Sequence, residues 1–125
     1  MIILDASMLI AHLDSRDALH ERAREALLEV AAQPLAASAL TLAEVLVGPA
    51  RQSRLDQAGE ALRSLGVEPL SLGPDAPSRL ARLRAETGLK LPDCCVLLAA
   101  QDAPAGSVVT FDDRLRRAAA GLRLA

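Results

Sequence analysis

Four short apolar runs, separated by longer segments with helical spacing, constrain what this chain can fold into more than any other feature. Met1 to Asp5, Leu35 to Ser38 (opened by Pro34), Val67 to Leu72 and Gly106 to Thr110 read as short buried strands. Between them the spacing predicts helices. The first runs from Met8 to Leu13 with Ser7 as its cap, and a long amphipathic one runs from Asp17 to about Ala32 with Leu19, Ala23, Leu27 and Val30 on one side. Thr41 opens a third that Gly48-Pro49 stops, and Arg54 to Leu65 forms a fourth, closed by Gly66. A fifth spans about Asp75 to Thr87. Asp93 then begins a helix so apolar on most sides that it belongs in the middle of the fold, and Asp113 to Ala120 forms the last. Leu122 to Leu124 reads as a frayed edge strand. Strands alternating with helices predict an α/β fold with a central, mainly parallel sheet between helical layers. The length suits one domain over residues 1–125.

Composition narrows the functional classes. Hydrophobic residues make up 51% of the chain, too many for disorder. Phe111 is the only aromatic residue, which argues against modules that stack bases on aromatic side chains. Net charge is -2, so no global basic footprint exists. The cations are nevertheless clustered, in Arg79, Arg82 and Arg84 and again in Arg114, Arg116 and Arg117, and the guanidinium fork matches phosphate oxygens. Cys94 and Cys95 are adjacent, a spacing of neither a zinc site nor a redox pair, so free thiols are expected. The N-terminus lacks the pattern of a signal peptide and no apolar run is long enough to span a bilayer. A soluble, cytoplasmic protein is the expectation.

Acidic residues fall where strands give way to helices: Asp5 after Ile2-Ile3-Leu4, Glu44 in Thr41-Leu42-Ala43-Glu44, Asp93 after Leu91-Pro92, and Asp112-Asp113 after Val108-Val109-Thr110-Phe111. Loops leaving the carboxyl ends of parallel strands converge on one edge of the sheet. Carboxylates gathered there repel one another unless a cation lies between them, and oxygen-only ligands select hard cations such as Mg²⁺ or Mn²⁺. Each acid also has a structural explanation. Thr41 and Glu44 have the spacing of a capping box, and Asp93, Asp112 and Asp113 all stand where helix caps are found. Asp5 is harder to explain this way, since it ends an apolar strand and a buried carboxylate without a partner costs several kcal/mol.

These segments, taken in order, resemble the PIN domain, and within it the VapC-type toxins of bacterial toxin-antitoxin pairs. The resemblance rests on the strand ending in Asp5-Ala6-Ser7, the Leu42-Ala43-Glu44-Val45 helix start, the Gly88-Leu89-Lys90-Leu91-Pro92-Asp93 approach to an apolar helix, and the Thr110-Phe111-Asp112 strand end. It covers essentially the whole chain. It implies a three-layer α/β/α PIN-like fold and a Mg²⁺- or Mn²⁺-dependent endoribonuclease, with Asp5, Glu44, Asp93 and Asp112 as catalytic metal-binding acids. Ser7 and Thr110 match the polar positions that orient the first and last acids. Asp113 stands beside the fourth motif position. Alternation along an extended segment would turn Thr110 and Asp112 to the polar edge, with Phe111 in the core and Asp113 serving the final helix.

Metal-ion catalysis of this type needs no side-chain nucleophile, because a cation can activate water and neutralise the leaving oxygen. His12 and His20 lie away from the acids, which disfavours paired-histidine ribonuclease chemistry. A haloacid dehalogenase-like phosphatase would want a second Asp where Ser7 stands. A PIN-like module kept only for protein binding would have no reason to retain all four acids. The resemblance implies an RNA substrate and a cognate antitoxin. Leu9, Leu13, Leu27 and Leu28 exceed what one small core is expected to hide, which together with the resemblance predicts a homodimer meeting the antitoxin through its N-terminal helices.

Overall fold

The computed structural model describes all of residues 1–125. Its elements follow the expected alternation: β1 (Ile2–Leu4), α1 (Ala6–Leu13), α2 (His20–Glu29), β2 (Leu35–Ser38), α3 (Ala39–Arg51), α4 (Leu55–Leu65), β3 (Val67–Leu70), α5 (Ala76–Thr87), α6 (Leu91–Asp102), β4 (Ser107–Val109) and α7 (Asp113–Gly121).

Several boundaries depart from the sequence reading, each for a local reason. Helix α1 begins at Ala6 because Asp5, not Ser7, is its cap: the Asp5 carboxylate accepts the Met8 N–H at 3.1 Å. Helix α2 starts three residues late. The Asp14 and Asp17 side chains accept the backbone N–H groups of Arg16 and Leu19, turning residues 14–19 into tight turns rather than a first helical coil. Ser38 caps α3 by accepting the Thr41 N–H, so Thr41 and Glu44 form no capping box. Gly48-Pro49 does not stop α3. Proline there costs one hydrogen bond in the final turn, Gly48 offers no Cβ to clash with its ring, and the helix continues to Arg51. Helix α6 starts at Leu91, with Pro92 tolerated in the first turn, which places Asp93 inside that turn rather than at its cap. Leu122 to Leu124 forms no strand. A single bond from the Val108 N–H to the Leu124 carbonyl ties the tail to the sheet edge.

The sheet is parallel throughout, in the order β3-β2-β1-β4. Alternation along the strands divides the core. Ile3, Ala36 and Val108 face one side, where they join Leu83 of α5, the apolar run Val96–Ala100 of α6, and Leu115 and Ala119 of α7. Ile2, Leu4, Leu35, Ala37 and Val67 face the other, against Met8, Leu9, Ala23, Leu27, Val45 and Leu62 from α1 to α4. This is the three-layer α/β/α arrangement. Residues Cys94–Ala100 are all buried, so α6 is the central helix its composition predicts. No helix is long and apolar enough to cross a membrane.

Strand order decides where the site lies. The chain moves outward from β1 to β2 and β3, then returns past β1 to place β4 on its other side. The carboxyl ends of β1 and β4 therefore flank the point where the winding reverses, the crevice in which open α/β sheets bind ligands. The register Leu4↔Val109 puts Asp5 and Thr110 side by side there.

The N-terminal leucines divide in a way the composition does not reveal. Leu9 and Leu27 are buried in the core, Leu13 is half-buried against it, and only Leu28 is exposed, at 67%. The excess of apolar surface expected on these helices is thus smaller than four leucines imply.

Candidate functional site

Asp5 is the fixed point of the site. It is 4% exposed, and its carboxylate accepts the Ser7 hydroxyl at 3.0 and 2.9 Å, the Met8 N–H at 3.1 Å and the Thr110 hydroxyl at 2.5 Å. The burial that made Asp5 hard to explain is therefore compensated by hydrogen bonds within the protein. Both hydroxyls donate, so the carboxylate is held in one orientation. Thr110 in turn accepts the Asp112 N–H at 3.0 Å, which turns the chain after β4.

Glu44 and Asp93 are held differently. Neither is a cap; Glu44 is exposed and Asp93 half-buried, and partial desolvation raises the pKa of each above the ordinary carboxylate value. Asp93 and Asp5 push Glu44 further up. Asp112 and Asp5 do the same to Asp93, offset by the positive charges of Lys90 and Arg114. Asp5, Glu44 and Asp93 thus lie within electrostatic reach of one another, and Asp112 within reach of Asp93. It is Asp112, not Asp113, whose charge is felt at Asp93.

Asp112 also caps α7, its side chain accepting the Leu115 N–H at 2.9 Å. Asp113 is exposed in the first turn of that helix and pairs with Arg116 at 2.6 Å. The sequence reading assigned the final helix to Asp113; both acids serve it, Asp112 by hydrogen bonding and Asp113 by charge. Strand β4 ends at Val109, so alternation does not extend to residue 112, and Asp112 is positioned by the turn at Thr110. Phe111 packs, half-buried, on the α1–α4 side of the core, with the Arg22 guanidinium 5.0 Å from its ring centroid.

No three acidic, histidine or cysteine side chains stand preassembled as an ion cage. The donor set nevertheless fits a hard divalent cation. All four side chains offer oxygen only, and two of them carry raised pKa values that an intervening positive charge would relieve. Asp5 is rigid, while Glu44 and Asp93, which no hydrogen bond restrains, are the ones able to close on an ion.

Cys94 and Cys95 are free and buried, with thiol pKa values raised chiefly by burial. His12 and His20 lie on α1 and α2, and His20 Nδ1 bonds the Ala11 carbonyl. Two contributors escaped the sequence reading. Ser38 ends β2 and fixes the start of α3, and a Ser three residues before Thr41 was its available signal. Arg22 braces Phe111 from a distant segment and leaves no local signal.

A parallel sheet with an acid at the end of its central strand, and further acids on the helices around the same edge, is the architecture of the PIN domain. The model of that family matches residues 2–121, and the chain belongs to it. Among solved structures, it is similar to a chain of a toxin-antitoxin complex from Klebsiella pneumoniae, at 29% identity and a TM-score of 0.72, covering 90% of this chain and 87% of that one. It also resembles VapC20 of Mycobacterium tuberculosis, a Sarcin-Ricin loop cleaving toxin, at 18% identity and a TM-score of 0.74, covering 94% and 95%. VapBC2 from Rickettsia felis, bound to a DNA fragment from its promoter, matches at 18% identity and a TM-score of 0.69, covering 94% and 92%. At 18% identity the last two likenesses concern the fold. No curated protein sequence matches the chain.

Proposed function

We propose that residues 1–125 form one divalent-metal-dependent endoribonuclease domain, the toxin of a VapC-type toxin-antitoxin pair, acting in the cytoplasm. The observation that carries the reading is the hydrogen-bonded Asp5 carboxylate at the reversal point of the sheet, with Glu44 and Asp93 close enough to feel its charge and Asp112 close enough to act on Asp93. Asp5, Glu44, Asp93 and Asp112 would hold Mg²⁺ or Mn²⁺, which supplies Lewis-acid activation of water and neutralises charge on the phosphodiester.

The protein's own part is to keep those carboxylates placed. Ser7 and Thr110 orient Asp5 by donating their hydroxyls to it, and the Met8 N–H donates a third bond. The Thr110 turn sets Asp112 beside the site while its other work, capping α7, restricts its rotation. Glu44 and Asp93, on α3 and α6, approach from the two helical layers. No thiol participates: burial raises the pKa of both cysteines, so they hold their protons.

The toxin assignment is supported by the likeness to the Klebsiella pneumoniae toxin-antitoxin chain. It carries with it a cognate antitoxin, an RNA substrate and a homodimer. The deciding experiment is incubation of purified protein with RNA in Mg²⁺ or Mn²⁺, with and without EDTA, beside Asp5→Asn. Metal-dependent cleavage by wild type alone is expected. Equal cleavage by Asp5→Asn, or cleavage that persists in EDTA, would overturn the reading.

A further inference from the structure

Arg22 stands in the first turn of α2, where the helix dipole disfavours a cation. Glu25 follows it on the same helix, yet the two form no ion pair. The guanidinium carbon lies instead over the ring of Phe111, 5.0 Å from its centroid. Phe111 packs half-buried against the α1–α4 side of the core, and the exposed Arg22 covers its ring.

Phe111 is the middle residue of the turn that carries Asp112, and the residues on either side of it are anchored to other elements. The Thr110 hydroxyl donates to Asp5 and accepts the Asp112 N–H, the Thr110 carbonyl accepts from Arg116 at 3.3 Å, and Asp112 caps α7. Strand β1 and helix α7 thus hold the two ends of the turn, and the Phe111 ring ties its middle to the opposite helical layer. Because the cap occupies Asp112 Oδ1, the direction of Oδ2 follows the backbone of this turn.

We propose that Arg22 is a positioning residue: by seating Phe111 against the α1–α4 layer, it fixes the Thr110–Asp112 turn and with it the aim of the Asp112 carboxylate into the acidic site. The inference rests on the metal-site reading and adds to it a residue from α2, an element that supplies none of the acids. A guanidinium suits the place because it stacks on an aromatic face while its N–H groups stay hydrated. The sign of the effect separates positioning from charge. Removing a cation that acts only through its field would tighten the binding of a divalent ion by the acids, whereas removing a positioning residue weakens it.

The test is calorimetric titration of Mn²⁺ into RNA-free protein, for wild type, Arg22→Gln and Arg22→Lys, and for Arg22→Gln placed in Phe111→Leu and in Asp112→Asn backgrounds. Arg22→Gln should weaken binding about two- to fivefold, the range of one cation–π contact at an exposed site. Arg22→Lys keeps a cation for the ring and should recover most of the loss. In either background Arg22→Gln should have no further effect, because its action passes through both residues. In metal-free protein, hydrogen exchange at the Asp112 and Leu115 amides should quicken by about the same factor in Arg22→Gln, while the Ile3 amide of β1 keeps its rate. Equal or tighter Mn²⁺ binding by Arg22→Gln, an undiminished loss in the Asp112→Asn background, or unchanged exchange at both amides would overturn the brace. Failure of the wild-type protein to bind Mn²⁺ would instead overturn the metal-site reading beneath it, and the exchange rates would still decide the brace.

Discussion

The Thr110 hydroxyl donates to the Asp5 carboxylate at 2.5 Å, joining two residues 105 positions apart in the chain. The parallel register of β1 with β4 makes this contact, since Leu4 opposite Val109 leaves the next residue of each strand side by side. Thr110→Val keeps the shape and removes the donor to a buried charge. It should cost about 1.5–3 kcal/mol by urea denaturation, and Thr110→Ser should restore most of that. An equally stable Thr110→Val protein would show that Ser7 and the Met8 N–H suffice.

Asp5→Asn and Asp93→Asn should both abolish metal-dependent cleavage and yet move stability in opposite directions. Asp5 is a satisfied charge, and an amide in its place turns a donor toward a donor. Asp93 is a repelled one. Its folded pKa lies above the ordinary 3.8, so the unfolded chain releases its proton first and stability declines as pH rises from the unfolded value through the folded one. At neutral pH the whole penalty is present. Asp93→Asn should therefore raise the melting temperature at pH 7 in EDTA, with the gain vanishing below about pH 4. A gain that persisted in acid would point to a cause other than charge.

For the adjacent acids, substitutions separate capping from the site. Asp112→Ala should cost about 1 kcal/mol of stability through the lost cap, Asp112→Asn much less, because Asn caps as well. Asp112→Asn should still cost most of the cleavage, whereas Asp113→Asn should leave cleavage near wild type. A deader Asp113→Asn enzyme would assign the fourth acid to residue 113.

Divalent metal should raise the melting temperature, by an amount equivalent to roughly 2.7 kcal/mol at 100 times its dissociation constant. Glu44→Gln and Asp93→Gln should reduce the shift. EDTA should stop cleavage without unfolding the chain, because the sheet and both core layers are formed by apolar packing. Absence of any shift at millimolar Mn²⁺ would remove the metal site.

His12 supplies a separate pH response. Burial chiefly, and the charge of His20 second, lower its pKa from 6.5, and its Nδ1 is buried without a partner. The unfolded chain then takes up the proton first as pH falls. The stability associated with neutral His12 is complete above about pH 6.5 and is lost as pH drops toward the folded value. His12→Asn should flatten the melting temperature between pH 7 and 5 relative to wild type; an unaltered slope would assign the response to other groups.

The alternation of short strands and amphipathic helices, the buried α6 and the placement of Asp5, Glu44, Asp93 and Asp112 near strand ends and helix starts were all legible in the order of residues. Such features depend on local periodicity and on which side chains tolerate water, and both are written in neighbouring residues. Helix starts were less legible. Ser38, Asp5, Asp14 and Asp17 each had a side chain able to bond a nearby N–H, and only the folded backbone selects which of several eligible donors and acceptors meet. Tertiary structure alone decided that Leu9 and Leu27 are interior while Leu28 is exposed, because that depends on what the opposite layer covers. It alone decided the partners of Asp5 as well. A buried carboxylate looks the same in sequence whether a cation or a hydroxyl will compensate it. The Thr110 hydroxyl reaches Asp5 only once β4 has crossed to the far side of β1, a long-range event that no local pattern encodes.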